Sequence, residues 1–289
     1  MSKPIGFVFS ILVLLLLASY WLFAMPSIQS LGLSDAEASI DRGAYLVNAG
    51  GCISCHEGVE GEGLSGGMPL ASDFGTFYAP NITPDLTTGV GRWQARDFLL
   101  AMKHGRTPNG SFYFPAFPYR AYAGMTDQDV LDIASYLMVQ EPVQYKVPVH
   151  ETPIWLQRWM LAGWNVLADV LEGDESAVDN TDPQIERGAY LGRSLGHCSE
   201  CHTPRNSIGI LQLDNEFAGA TLGDSHADEI DRAALEAWSE DDFAFFLLLG
   251  MKPDGEFVGG EMEAVIEHNT STLTDEDRQA LAAFFKSER

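Results

Sequence analysis

The chain says nearly the same thing twice, and that duplication bounds what it can fold into. Ile40-Asp41-Arg42-Gly43-Ala44-Tyr45-Leu46 is matched by Ile185-Glu186-Arg187-Gly188-Ala189-Tyr190-Leu191. Cys52-Ile53-Ser54-Cys55-His56 is then matched by Cys198-Ser199-Glu200-Cys201-His202. Trp93, Asp97, Phe98, Gly105, Pro108, Gly110 and Phe112 recur as Trp238, Asp242, Phe243, Gly250, Pro253, Gly255 and Phe257, at a constant offset of 145. Thr126-Asp127-Gln128-Asp129-Val130 pairs with Thr274-Asp275-Glu276-Asp277-Arg278. Order and spacing hold over roughly 100 residues per copy, which chance does not produce and which is long enough for each copy to hold its own core. With only two copies this is a tandem duplication of one domain, not a solenoid.

Within each copy the apolar period is helical. Residues 35–50 and 182–196 read as helices leading into the cysteine strings, and residues 93–104 and 239–249 as second helices. The last helix of each copy opens on a Thr-x-x-Asp capping pair, Thr126/Asp129 and Thr274/Asp277. Val130, Ile133, Ala134 and Leu137 then follow at helical spacing, as do Leu281, Phe284 and Phe285. Gly- and Pro-rich loops lie between, strand signals are few, and the expected class is mainly α. Residues 143–181 form a connector. Its segment Ile154–Leu171 places Trp155, Trp159, Ala162, Val166 and Val170 on one face, as a helix packing the two domains together or as a docking surface for a partner or membrane.

The 289 residues carry 17 Lys plus Arg against 41 Asp plus Glu, a formal charge of −24. Nucleic-acid binding is excluded as a role, because phosphate contacts need cations in number, and so is charge-driven docking on anionic lipid. A basic protein partner or a saline environment suits this balance. At 46% apolar and 11% aromatic residues the chain has the material for two cores and is not a disordered one. Residues 1–30 decide the compartment. Ile5 to Met25 is an uncharged run of 21 residues, long enough to cross a hydrocarbon core of about 30 Å. Tyr20, Trp21 and Phe23 cluster at its far end like an interfacial belt, and Lys3 favours a cytoplasmic N-terminus. An uncleaved single-pass anchor is expected. The competing reading is a cleaved signal peptide, but Leu22-Phe23-Ala24 breaks the small-x-small rule and Ser30-Leu31-Gly32 lies well past the run. Both export the remainder.

All four cysteines sit in the two Cys-x-x-Cys-His strings. Such a string is the attachment site of c-type haem: both thiols add to the haem vinyl groups, and the adjacent histidine becomes an iron ligand. A four-thiolate zinc site gives no reason for a histidine after each pair. A thioredoxin-like redox pair needs a βαβ pattern that is missing, and structural disulfides give no reason for the string to repeat. Two covalently bound haem c groups are therefore expected, on Cys52, Cys55 and His56 and on Cys198, Cys201 and His202.

These residues, with Phe74-Gly75-Thr76-Phe77-Tyr78-Ala79-Pro80-Asn81-Ile82-Thr83-Pro84-Asp85, Phe114-Pro115-Ala116-Phe117-Pro118-Tyr119, Thr203-Pro204-Arg205-Asn206, and Met262 with Asn269-Thr270-Ser271, carry a resemblance. Residues 38–289 resemble the membrane-anchored cytochrome c subunits of periplasmic alcohol- and gluconate-type dehydrogenases, built of class I cytochrome c domains. The resemblance implies tandem cytochrome c-type domains at 35–142 and 182–289 behind one transmembrane helix, held in the bacterial inner membrane with the haem domains in the periplasm. It implies electron relay without substrate chemistry, from a periplasmic dehydrogenase or respiratory complex to quinone or a terminal oxidase. It puts Met262, in a Gly-rich loop, on the second iron. In the first copy the same offset lands on Phe117, which cannot bind iron; Met125 is the favoured substitute, with Met68, Met102, His104 or an open iron as alternatives. The family commonly carries three haem domains and a methionine where Phe117 stands, so Phe117 keeps alive a dihaem enzyme of peroxidase or thiosulfate-oxidising type. An assembly subunit whose haems never turn over is a third reading. By the same resemblance Asn81, Trp93 and Arg205 approach haem propionates. His150, His226 and His268 read as exposed or capping residues. The acidic runs Glu172–Glu175 and Asp224–Asp231 read as solvated loops that also steer a basic partner. Steering predicts an electron-transfer rate that falls as salt is added; stopped-flow rates indifferent to ionic strength would exclude it.

Overall fold

The computed structural model describes residues 23–26, 28, 38–58, 62–178, 181–223 and 225–287. The expected membrane segment, except Phe23 to Met25, lies outside the described residues. Among the described residues no helix is long and apolar enough to cross a membrane.

The first half runs through helix α1 (Ile40–Ala49), the single turn α2 (Cys52–His56), hairpin β1 (Pro69–Ser72) with β2 (Gly75–Tyr78), α3 (Ala95–His104), α4 (Tyr119–Tyr122) and α5 (Asp127–Leu137). The connector helix is α6 (Leu161–Leu171). The second half repeats the order: α7 (Pro183–Ala189), α8 (Ser199–His202), β3 (Ala220–Leu222) paired with β4 (Ser225–Ala227), α9 (Glu240–Leu249), α10 (Glu261–His268) and α11 (Asp275–Lys286). The mainly α expectation holds. The threonine caps form as the sequence requires: Thr126 Oγ1 accepts from the Asp129 N–H at 3.1 Å, and Thr274 Oγ1 from the Asp277 N–H at 3.2 Å.

In each half the first helix lies directly on the last, and one glycine makes that possible. A Cβ built on Gly43 would come within 2.0 Å of the Asp132 carbonyl oxygen of α5, and one on Gly188 within 1.9 Å of the Ala280 oxygen of α11. This explains the invariant glycine of the Arg-Gly-Ala-Tyr-Leu repeat. The arginine and tyrosine beside it do different jobs. Arg187 donates to the Asp277 carboxylate of its own half at 2.8 and 2.7 Å, and Arg42 pairs with Asp129 and, at 3.1 Å, with Asp132. The tyrosines reach across: Tyr45 donates to Asp277 at 2.5 Å, and Tyr190 donates to Asp129. Burial and Asp277 push the Tyr45 hydroxyl up to about 12, so it stays a donor.

One buried cluster runs through both halves, from Leu46, Phe98 and Ile133 to Leu195, Phe243 and Phe284. The two copies share a core, where the sequence pointed to one core per copy; the tyrosine–aspartate exchange and the apolar seam around Leu195 join them. The copies also differ by one residue. Between Leu46 and Gly50 the first half closes an α-type bond of 2.8 Å; between Leu191 and Gly196 the second closes a 2.7 Å bond one residue longer. The extra residue is taken up in a π-helical turn, Tyr190–Leu195.

The connector differs from expectation in its face. Leu161, Ala162 and Ala168 are buried, whereas Trp155, Trp159 and Val170 are 58%, 65% and 74% exposed. Continuous α-helix begins only at Leu161, after a 3₁₀ turn at Arg158–Met160, so the helical register counted from Trp155 does not carry through. The helix does tie the halves together. Asn165 accepts from the Tyr119 hydroxyl at 2.9 Å, and Trp164 donates to the Ile208 carbonyl at 2.8 Å. The Glu172–Glu175 run is ion-paired where a solvated loop was expected: Glu172 holds Arg120, and Glu175 lies 3.5 Å from Arg193. His150 is no capping residue; it accepts from the Tyr78 N–H at 3.1 Å and packs edge-on against Phe77 and Phe114.

Gly188→Ala should cost about 1–3 kcal/mol, the usual penalty of overpacking, read as a lower Tm. Tyr45→Phe tests the seam. Burial pushes the Asp277 carboxyl up, but hydrogen bonds from Arg187 and Tyr45 outweigh it and hold it below its ordinary value. A depressed carboxyl contributes stability above its unfolded value of about 4 and loses it as pH falls through the folded value. Urea titrations should therefore show a smaller stability difference between neutral and acid solution in Tyr45→Phe. An unchanged difference would remove this contact from the acid response.

Candidate haem sites

With Leu46 and Val47 of α1 anchored in the core, the chain leaves at Gly50 and Gly51. Gly51 is left-handed, at φ +64°, and a Cβ there would come 3.0 Å from Asn269 Nδ2. That turn starts α2, where Cys52, Cys55 and His56 stand three and four residues apart and so share one helical face. In the second half the His202 N–H donates to the Cys198 carbonyl at 3.0 Å, which winds Cys198, Cys201 and His202 onto one face in the same way. The structure thus brings together both sets of three residues named from the sequence.

No disulfide joins the thiols: Cys52, Cys55 and Cys198 are half-buried and Cys201 is exposed. Burial pushes Cys52 and Cys198 up to about 12 and Cys201 to about 11, and raises Cys55. Burial thus keeps the thiols protonated while no group is bound to them. Among the described residues no cluster of three or more His, Cys, Asp or Glu side chains forms a metal site by itself.

The histidines supply the test of fit. His56 Nδ1 donates to the Pro80 carbonyl at 2.8 Å, and His202 Nδ1 to the Asp228 carbonyl at 2.6 Å. A carbonyl only accepts, so Nδ1 carries the hydrogen and Nε2 keeps its lone pair for a metal. Burial lowers both imidazoles and keeps them neutral, as ligands must be. The donor set fits a haem iron in both halves. The acidic run 224–231 thus contributes a backbone acceptor to the second site.

Met125 is 1% exposed and lies in the shared core just before the Thr126 cap. Met262 is half-buried in the first turn of α10, not in the preceding loop. Phe117 packs against Tyr113 and Tyr122, at 5.5 and 5.6 Å between ring centres. Met102 is buried on α3, Met68 is half-buried and His104 is exposed. Asn81 does not offer its amide outward: it donates to Thr88 Oγ1 and the Val143 carbonyl and accepts from Thr83, bracing the loop that presents Pro80. Arg205 is held by Glu200 and the Gly209 carbonyl, and Trp93 packs on Phe98. The acceptors Pro80 and Asp228 act through backbone atoms, which side-chain reasoning does not single out. His197 was missed although it stands where the first copy has Gly51.

Cys55→Ser or Cys201→Ser should leave one vinyl group conjugated with its porphyrin. The α band of the reduced pyridine complex should then move to longer wavelength for that haem. An unmoved band would exclude the cysteine from a thioether bond.

A cytochrome c family model matches residues 40–140. The chain is 41% identical over 257 residues to a diheme cytochrome c-type protein of Cereibacter sphaeroides, covering 85% of this chain and 84% of that protein. It is 38% identical over 266 residues to the gluconate 2-dehydrogenase cytochrome c subunit of Pantoea cypripedii, covering 87% of this chain and 60% of that one. To the fructose dehydrogenase cytochrome subunit of Gluconobacter japonicus it is 35% identical over 280 residues, covering 94% and 57%. The chain spans somewhat over half the length of these two dehydrogenase subunits. It belongs to the cytochrome c family, whose members hold haem c covalently and transfer electrons.

Proposed function

We propose that this chain is a membrane-tethered dihaem cytochrome c. In this reading residues 35–142 and 182–289 are two cytochrome c domains. Haem 1 is held by Cys52, Cys55 and His56 with Met125 as sixth ligand, and haem 2 by Cys198, Cys201 and His202 with Met262. The observation that carries it is the repeated Nδ1-to-carbonyl bond, at His56 and His202, that readies two imidazoles for two irons.

Bound haem supplies a metal that gains and loses one electron without making or breaking a bond. The chain's residues set the conditions. The Pro80 and Asp228 carbonyls fix each imidazole's tautomer and raise its basicity. A thioether ligand raises the potential of its iron. The family resemblance of the gluconate and fructose dehydrogenase subunits supports a periplasmic dehydrogenase or respiratory complex as donor, with quinone or a terminal oxidase as acceptor. The apolar run from Ile5 to Met25 supports a single-pass tether in the bacterial inner membrane with the haem domains in the periplasm. Arg106 supports the placement of that tether, since it donates to the Phe23 and Ala24 carbonyls at 3.0 Å each and so seats the end of the run on the first half.

Phe117, packed between tyrosines where the second copy has its methionine, favours one alternative: an open iron in the first half and peroxidase or thiosulfate-type chemistry. Carbon monoxide decides between them, because it binds only an iron with a free or weakly held position. The reduced full chain in detergent should show no spectral change on adding it. Met125→Ala and Met262→Ala should each admit it to half of the haem and lower that haem's potential. A change in half of the haem of the unaltered chain would overturn the carrier reading for the first site.

A further inference from the structure

We infer that His197 bridges the two haem-attachment segments and carries the electronic coupling between them; the inference rests on the dihaem reading above. Three observations converge on this side chain. It occupies the position of Gly51, immediately before the first cysteine of its string, and takes the same left-handed backbone, φ +41° beside +64°. A glycine would hold that conformation freely, whereas a histidine is strained in it, and strain of this kind is retained where the side chain has work to do. The one-residue π insertion lies directly upstream, ending at Leu195, and such turns concentrate at functional sites.

The third observation is where the imidazole goes. His197 Nε2 donates to the Gly50 carbonyl of the other half at 3.3 Å, and the ring packs edge-on against Tyr122 at 5.5 Å between centres. The Tyr122 hydroxyl donates to the same carbonyl at 3.3 Å. Gly51 borders this contact: a Cβ there would lie at ordinary contact distance, 4.0 Å, from His197 Nε2. His197 is covalently joined to Cys198, and Gly50 stands two residues before Cys52. The connection from one cysteine string to the other is thus covalent backbone and side chain, interrupted by a single N–H···O contact. In the step itself one electron leaves the reduced iron of one half and reduces the oxidised iron of the other. No bond is made or broken and no proton moves.

The test is His197→Gly in the full chain, with both haems loaded. Glycine suits the backbone and copies the first half, so the unfolding midpoint should stay level or rise. Photoreduction followed by transient absorption should show inter-haem equilibration slowed several-fold, with both reduced spectra and both potentials unchanged. His197→Gln, which keeps an amide donor, should recover part of the rate. An unchanged rate in His197→Gly overturns the inference. So does a slowed rate accompanied by altered haem spectra or potentials, which would make His197 a packing wedge. A pyridine-complex count of one haem per chain overturns the dihaem reading, and the inference with it; two haems with an unchanged rate overturn the inference alone.

Discussion

Two backbone contacts, α1 on α5 at Gly43 and α7 on α11 at Gly188, are what the rest of the molecule hangs on. Each brings the start of a copy against its end, so the long loops between are closed at a fixed span. Each also buries the third residue of the last helix, Asp129 or Asp277, whose carboxylate then needs partners. The arginine one position before the glycine and the tyrosine two after it supply them. Because the arginine reaches within its own half and the tyrosine reaches across, one short repeated string both closes each half and joins the two. Widening either helix contact would unseat the carboxylate, the seam and the entry to the cysteine turn together.

The duplication makes the asymmetries informative. Equivalent residues do equivalent work at the caps, the glycine contacts and the Nδ1-to-carbonyl bonds. Departures cluster near the seam and near the places where iron ligands are expected. The second copy has an extra residue in its first helix and a histidine for a glycine; the first has Phe117 for a methionine. These changes leave the closing helices intact. The two cysteine strings, alike in sequence, thereby stand in different surroundings.

Much of this was legible in the sequence, for local reasons. Thr126 and Thr274 announce their helices because a cap is a contact over three residues, and the Cys-x-x-Cys-His strings because one turn sets their geometry. What was not legible depends on partners far along the chain. Tyr45 meets Asp277 across more than two hundred residues, and Pro80 and Asp228 act through carbonyl oxygens that any residue possesses. The connector's face was misjudged because the periodicity of Trp155 and Trp159 was extended through a segment that is not yet α-helix. The acidic run at Glu172 looked solvated because Arg120 and Arg193, its partners, lie on other elements.

A shared core changes what relay means in this chain. Two domains on a free linker would pass electrons only in the fraction of time their sites approached. Here the reciprocal tyrosines, the connector helix and one continuous apolar cluster hold the halves in register, so the separation of the two cysteine strings is a property of the fold. Any coupling across the seam is then set by the few atoms that fill it: Gly50, Gly51, Tyr122, Asn269 and His197. Small changes there can alter how fast the halves communicate while leaving each half's own fold untouched, and a residue that accepts backbone strain to stand in that gap is where such control would be exercised.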